Sequence, residues 1–496
     1  MNVTELKKYK MYINGEWTES SSGEYFPSYN PATGEPWCTV AKGTAEDVDR
    51  AVKAAHHAFL HSEWARMTFT ERGRLVRKLG ELIAGRVEEL AEFETLDNGK
   101  LIREMRGQLS YLPEFFYYYA GLADKIHGKT LPIDKKDMFV FTSREPLGVV
   151  AAITPWNSPL YLTTLKLAPA LVAGNTIVIK PSEMTSASLL ELMKLVEEAG
   201  FPPGVVNVVT GFGIPVGDSL TSHPLVRRVA FTGGEESARH VVRNSADNFA
   251  QVSLELGGKS PNIVFEDANA DNAAMGIIAG IFGASGQSCV AGSRALLHVD
   301  IYDKVMQKLV DRVSNIKIGN PLHNDTEMGP LATKAQLDRV EQYVALGNDE
   351  GGKLVYGGKK PEHLQKGWFF EPTIFEHNDH NSRITNEEIF GPVLSVIPFR
   401  DETEVVQLAN STDYGLAAGI WVSDIAKAHR VAKAVRAGIV WVNTYRSISP
   451  IAPIGGSGLS GYGRESGYEA IHEYTQSKVV WVNTSSEPIP DPFIMR

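Results

Sequence analysis

Cysteine is nearly absent: the 496 residues hold two, Cys38 and Cys289. Two thiols cannot build a disulfide framework, which points to a reducing compartment. These two cysteines and the 13 scattered histidines show no zinc-site spacing, so no metal is expected. An excess of positive charge is missing too: 49 Lys and Arg stand against 59 Asp and Glu, a net charge of −10. That balance argues against a general nucleic-acid binder, which carries a basic face. No apolar run reaches the ~20 residues of a membrane span. The longest, 273–284, is broken by Gly276, Gly280 and Gly283 and reads as a buried helix. The start, Met1-Asn2-Val3-Thr4-Glu5-Leu6-Lys7-Lys8, lacks the apolar core of a signal peptide. A cytoplasmic protein with neither nucleic-acid nor membrane partners is expected.

What is there is ordinary globular composition, 43% hydrophobic and 22% charged. The length suits two or three domains, with a core that needs no disulfides. Between residues 148 and 255 strand and helix alternate. Strands are expected over 148–153, 176–180, 205–209 and 226–231, and helices over 160–173, 185–199, 215–222 and 235–244. Near-continuous Val and Ile runs suit parallel strands covered on both faces. Repeated strand–helix units predict a doubly wound α/β sheet. After Gly258 the pattern restarts, with strands over 262–265, 295–299, 393–398, 417–422 and 438–442 and a helix over 302–315. This predicts a second α/β domain, bordered by Gly257-Gly258 and by Gly455-Gly456.

The N-terminal hundred residues read as helical after Thr44. Thr44-Ala45-Glu46-Asp47 is a candidate capping box, and Val48 to Phe59 has helical period. Cys38, in the strand-like Pro36-Trp37-Cys38-Thr39-Val40, reads as packing. Two short β-type runs, 138–143 and 477–483, belong to neither core. Exposed edges of this kind usually pair with something. Oligomerisation is the favoured use, and edge strands of a main domain are the alternative.

Cys289 lies in Phe282-Gly283-Ala284-Ser285-Gly286-Gln287-Ser288-Cys289-Val290-Ala291-Gly292. Small neighbours let backbone and ligand come close to a thiol. Upstream, Leu254-Glu255-Leu256-Gly257-Gly258-Lys259 sets a carboxylate between leucines. A thiol and a partly desolvated carboxylate suit two-step covalent chemistry: a nucleophile that forms an acyl intermediate and a base that hydrolyses it. The bland alternatives are a small buried hydrophobe at 289 and an ion pair of Glu255 with Lys259. The Gly, Ser and Gln around the thiol favour the chemical reading.

Three strand ends carry groups suited to a dinucleotide, the place where open α/β sheets bind ligands. Gly211-Phe212-Gly213-Ile214-Pro215-Val216-Gly217 opens a helix but is one residue longer than Gly-x-Gly-x-x-Gly. Phe231-Thr232-Gly233-Gly234 offers free N–H groups at a helix start to a phosphate. In Ile179-Lys180-Pro181-Ser182-Glu183, Lys180 and Glu183 are placed to hydrogen-bond a ribose diol.

Seven motifs then occur in order: Thr154-Pro155-Trp156-Asn157, Lys180-Pro181-Ser182-Glu183, Phe231-Thr232-Gly233, Glu255-Leu256-Gly257-Gly258-Lys259, Gly286-Gln287-Ser288-Cys289, Glu387-Glu388-Ile389-Phe390-Gly391-Pro392 and Ser460-Gly461-Tyr462-Gly463-Arg464-Glu465. Together they closely resemble the NAD(P)-dependent aldehyde dehydrogenase superfamily, over nearly the whole chain. The resemblance implies an α/β, aldehyde-dehydrogenase-like fold: two doubly wound α/β domains plus a small β oligomerisation arm. Residues 1–125 and 148–257 are the expected NAD-binding domain, 258–457 the catalytic domain, and 126–147 with 477–496 the arm. Residues 458–476 return to the main body.

The family's roles carry over as Cys289 nucleophile, Glu255 general base, Asn157 oxyanion donor, and Lys166 and Glu465 proton relay. For the cofactor they imply Lys180, Ser182 and Glu183 at the adenosine ribose. Gly213, Gly217, Phe231, Thr232, Gly233 and Gly234 fall near the adenine and pyrophosphate. Ile153, Thr154, Pro155, Trp156 and Leu256 line the strand ends, and Glu388 and Phe390 the nicotinamide side. NAD is expected over NADP, because the Glu183 carboxylate accepts from a free 2′-hydroxyl and repels a 2′-phosphate. Ser158, Tyr161 and Leu165 are the expected substrate-tunnel residues. Ser158 replaces a common aromatic, which suggests an aromatic, cyclic or semialdehyde substrate. A homodimer or homotetramer is implied. Three departures stand out: Gly234 for a common Ser, Ala238 for a common Gly, and Pro453-Ile454-Gly455-Gly456-Ser457-Gly458 for Pro-Phe-Gly-Gly with a nearby Lys. A CoA-acylating aldehyde dehydrogenase and a non-catalytic structural member remain as alternatives.

Overall fold

A computed structural model describes residues 6–377, 380–488, 491 and 493. The extreme N-terminus (1–5) and part of the expected arm (489–490, 492 and 494–496) lie outside the described residues. The chain builds two large sheets, a three-stranded sheet and a two-stranded ribbon.

The first large sheet has five parallel strands at its centre, in the order Gln251–Glu255, Val226–Thr232, Val149–Thr154, Thr176–Pro181 and Val206–Val208. Gly461–Tyr462 adds antiparallel at one edge, and Met11–Ile13 with Glu16–Thr18 at the other. The β-branched runs explain the sandwiching. Val150, Ala152, Ile177 and Ile179 pack with helices Pro159–Val172 and Ala187–Ala199. Val149, Ala151, Val178 and Val229 face the other way, towards helices Ala45–His61 and Glu235–Ser245. Burying one such Val or Ile contributes about 1.5–3 kcal/mol, so both faces must be covered. Chain order runs outward from Val149–Thr154 on one side, then returns to Val226–Thr232 on the other. The crevice between those two strands is where an open α/β sheet presents its ligand site.

The second large sheet runs in the order Lys353–Tyr356, Thr373–Glu376, Val393–Phe399, Arg294–His298, Pro261–Val264, Ala417–Trp421 and Ile439–Val442. Only its Lys353–Tyr356 edge is antiparallel. The two outermost strands at that edge carry no continuous Val/Ile run and were not expected.

At the N-terminus the capping box forms: Thr44 Oγ1 accepts from the Asp47 N–H, and the Asp47 carboxylate accepts from the Thr44 N–H. Before it, Lys7–Tyr9, Glu35–Ala41 and Tyr25–Asn30 make the three-stranded sheet, with Cys38 wholly buried in its middle strand. The helix expected over 215–222 forms, with a wider first turn than expected. The structure has a wide helical turn at Gly213–Gly217 followed by one α-turn at Asp218–Thr221. Ile214, just before the expected start, keeps extended angles (φ −113°, ψ 124°).

Met138–Pro146 and Thr475–Asn483 pair with each other over their full length. They form a separate ribbon rather than edges of a main sheet. Phe139, Val479, Trp481 and Val482 are exposed on it.

Candidate active site

The strand Val149–Thr154 ends at Pro155-Trp156-Asn157, where the chain turns into helix Pro159–Val172. Proline suits that first helical position, where the N–H has no helical partner. Asn157 is buried, and its Nδ2 donates to the Gln287 carbonyl at 3.1 Å. This bond ties the strand end to the loop that carries Cys289.

That loop follows helix Ala270–Ile281. Ala284, Ser285 and Gly286 all have left-handed backbone (φ 54°, 53° and 74°). A Cβ at Gly286 would lie 2.1 Å from the Gly391 carbonyl oxygen, so only glycine fits. The turn is pinned from both sides: Ser285 Oγ donates to Gly329 O at 2.8 Å, and Gln287 Oε1 accepts from the Ala332 N–H at 2.8 Å. A strained, over-determined turn is what holds a reacting side chain still. Burial pushes the Cys289 thiol up to about 12, and the carboxylates of Glu255 and Glu388 push the same way. The backbone N–H groups of Val290 and Cys289 oppose them.

Glu255 ends strand Gln251–Glu255, and burial raises its carboxyl well above the ordinary range. Glu465 pushes it further, against Lys166 and Arg464. Glu255 Oε1 has no hydrogen-bond partner among the described residues, and neither has Lys259 Nζ. The alternative ion pair between them does not form. A raised carboxyl is the stronger base once it is ionised, and Glu255 lines the same cavity as the Cys289 thiol.

Cys289, Glu255 and Asn157 line one cavity of about 600 Å³. Leu256, Glu388 and Phe390 border it too. The Phe390 ring meets Trp156 edge-on, with centroids 5.2 Å apart. Gly258 N–H donates to Glu388 Oε1 at 3.1 Å, and burial raises that acid to about 7.

A second cavity, about 410 Å³, adjoins the first at Pro155, Trp156, Thr232, Gly233 and Gly234. Ile153, Thr154, Lys180, Ser182, Glu183, Gly213, Gly217 and Phe231 complete the expected set along it. Lys180 Nζ lies 3.6 Å from Glu183 Oε2. Helix Glu235–Ser245 begins at Gly234 without a side-chain cap, and Gly234, Glu236 and Ser237 at its start line this space. A Cβ at Gly234 would meet nothing within 4 Å, so the Ser-to-Gly departure leaves open room there.

Behind Glu255, Lys166 Nζ donates to Thr232 Oγ1 at 2.6 Å and pairs with Glu465. Both charged side chains are buried, and Glu465 Oε2 has no partner among the described residues.

The model of the aldehyde dehydrogenase family matches residues 17–480. The chain belongs to this family. It is 50% identical over 492 residues to the (Z)-2-((N-methylformamido)methylene)-5-hydroxybutyrolactone dehydrogenase of Acinetobacter baylyi, covering 99% of this chain and 100% of that one. It is 45% identical over 476 residues to betaine aldehyde dehydrogenase of Bacillus subtilis, covering 96% and 97%. Among solved structures, the NAD+ complex of aldehyde dehydrogenase from Bacillus cereus superposes with a TM-score of 0.94 at 45% identity, over 96% of this chain and 97% of that one.

In this family member the three expected tunnel residues border neither cavity. Ser158 accepts from Lys100 Nζ at 2.5 Å, Tyr161 packs edge-on against Phe115, and Leu165 is buried. Helix Pro159–Val172 is buried all round, so its sequence has no polar face from which to read a direction. Leu162, on the same helix, is the residue that reaches the first cavity. Gln336, Arg339 and Tyr414 reach it as well. Gln336 and Arg339 come from helix Lys334–Asp349, and no local motif marked them.

Proposed function

We propose that this protein oxidises an aldehyde to a carboxylic acid through a covalent intermediate on Cys289, with NAD as cofactor. One observation carries the reading. The thiol, an unpartnered carboxylate and a side-chain amide share one cavity, continuous with a second that ends at Lys180 and Glu183.

The residues present fit a dinucleotide. Glycines at 213 and 234 leave space, the uncapped start of helix Glu235–Ser245 lines it, and a lysine–carboxylate pair lies at the far end. Lys180, Ser182 and Glu183 would hold the adenosine ribose, and Glu388 and Phe390 the nicotinamide side. NAD held there would supply the hydride acceptor for the substrate carbon. Glu183 favours NAD over NADP by its charge.

Cys289 Sγ, as the thiolate once its proton has passed to solvent, bonds to the aldehyde carbon. The new oxyanion accepts from the Asn157 amide and the Cys289 N–H. Hydride loss leaves a thioester on Cys289. Glu255 then takes a proton from water, whose oxygen bonds to the acyl carbon, and the C–S bond breaks to free the acid. Lys166 and Glu465, linked behind the base, pass the surplus proton on. Replacing Asn157 by Ala lowers kcat about 100-fold, or ~3 kcal/mol in barrier, the usual cost of one oxyanion donor. Stopped-flow kinetics on an accepted aldehyde checks this.

Thioester release to CoA needs no general base, so the placement of Glu255 favours water. Turnover in the absence of CoA tests the choice; a strict CoA requirement would reject it.

We assign the substrate to functionalised, cyclic or aromatic aldehydes and semialdehydes. Support comes from the 50% identical relative, whose name specifies a substituted 5-hydroxybutyrolactone. A ring of that kind opens to an aldehyde and a carboxylate. A kinetic panel decides, and a clear preference for short unbranched aldehydes contradicts the assignment.

The ribbon is proposed as the self-association surface of a homodimer or homotetramer. Its unpaired edges and its exposed Phe139 and Trp481 resemble a patch awaiting a partner. Trp481→Glu is expected to lower the sedimentation-derived mass to that of a smaller assembly, while far-UV CD stays unchanged.

A further inference from the structure

The segment that carries Asn157 rests on a buried polar cluster that the reaction above does not use. Helix Val87–Asn98 ends at Gly99, whose backbone is left-handed (φ 77°). A Cβ there would lie 2.8 Å from Pro330 and 2.9 Å from Pro31, so the turn closes in one way. It carries Asn98 and Lys100 against the residues after strand Val149–Thr154. Asn98 Nδ2 lies 3.5 Å from the Asn157 carbonyl oxygen, and Lys100 Nζ donates to Ser158 Oγ at 2.5 Å. All four residues are buried.

Ser158 occupies the N-cap of helix Pro159–Val172, yet its side chain makes no capping bond. A serine there ordinarily accepts from the first helical turn, which is worth about 1 kcal/mol. Here the hydroxyl is committed to Lys100 instead.

The groups that face Lys100 come from four directions: Glu94 on the preceding helix Val87–Asn98, Glu104 on helix Ile102–Leu122, Arg446 after strand Ile439–Val442, and Cys289. Glu94 is wholly buried, and neither of its carboxylate oxygens has a hydrogen-bond partner among the described residues. Burial raises Glu94 to about 8 and lowers Lys100 to about 8. Below that pH the lysine is an ammonium, and its bond to Ser158 is charge-assisted, roughly twice as strong as a neutral one.

We propose that Lys100 is a positioning residue: its ammonium locks the Ser158 hydroxyl, and the lock fixes the neighbouring Asn157 amide for oxyanion binding. The inference rests on the reading of Cys289 as nucleophile and Asn157 as oxyanion donor. The sign follows from the lowered Lys100. The lock is complete at low pH and weakens as pH rises through about 8. The thiol and Glu255 act in the opposite sense, because both gain from deprotonation.

The test is the first-turnover rate of hydride release, measured by stopped flow from about pH 6 to about pH 9, a range that spans this titration. Ser158→Ala and Lys100→Met are each expected to slow it about 10-fold, with little change in KM. Lys100→Arg keeps a cation that does not titrate, so it retains most of the rate and loses the alkaline decline of the wild type. Lys100→Met combined with Glu94→Gln removes the buried pair together, so that loss of rate is not loss of fold. First-turnover rates within twofold of wild type in Ser158→Ala and in the double variant overturn the proposal. So does an alkaline decline in Lys100→Arg that coincides with the wild type. Failure of the underlying reading has a different signature: hydride release that persists in Cys289→Ser.

Discussion

Cys289→Ser lowers dehydrogenase turnover by about 10⁴-fold or more, the scale seen when a covalent nucleophile is removed. The chemistry sets the size. A serine hydroxyl ionises far less readily than a thiol, whose unperturbed pKa is ~8.5. Even the thiol is held up to about 12 by burial and by Glu255 and Glu388, and needs help to react. A hydroxyl in the same place faces a larger deficit, and its ester would be a poorer acyl donor than a thioester. The other thiol offers no bypass: Cys38 is wholly buried in the N-terminal three-stranded sheet, and it lines neither of the two cavities. An NAD-coupled absorbance assay with any accepted aldehyde checks the result.

Glu255→Gln separates the two halves of the reaction. Hydride release in the first turnover persists, because the acyl group still forms on Cys289. Steady-state turnover falls by about 10²–10⁴-fold, the range of a positioned general base. The pH dependence carries the same information. Burial and Glu465 raise the Glu255 acid, so its base form is scarce at low pH and grows as pH increases. Hydrolysis in the wild type therefore speeds up with rising pH through that elevated value. In Glu255→Gln this acid limb disappears, since the amide does not titrate.

Much of the site was legible because chemistry constrains local sequence. Cys289 stood out by its small neighbours, and the strained turn at Ala284, Ser285 and Gly286 is the reason for them. Glu255 stood out as a carboxylate between leucines, and its burial follows from the same flanks. Several residues of the second cavity were legible because they end strands whose Val and Ile runs mark parallel sheet. Elsewhere the signal was absent. Ser158, Tyr161 and Leu165 were assigned by position on a helix that is buried on every face, so no polar stripe fixed its rotation. Lys100 follows a helix far from any motif, and only the folded chain sets it under Ser158. Gln336 and Arg339 reach the cavity from another such distant helix. The antiparallel edge at Lys353–Tyr356 escaped because its four residues are too short a run to show a strand period.

The central claim is tested most directly by the intact mass of Glu255→Gln after mixing with an accepted aldehyde and NAD. The account predicts a mass increase equal to one acyl group, found by peptide mapping on Cys289 and discharged by hydroxylamine. An unmodified protein that has nevertheless released a full equivalent of NADH, or an adduct mapped to Cys38, would contradict it.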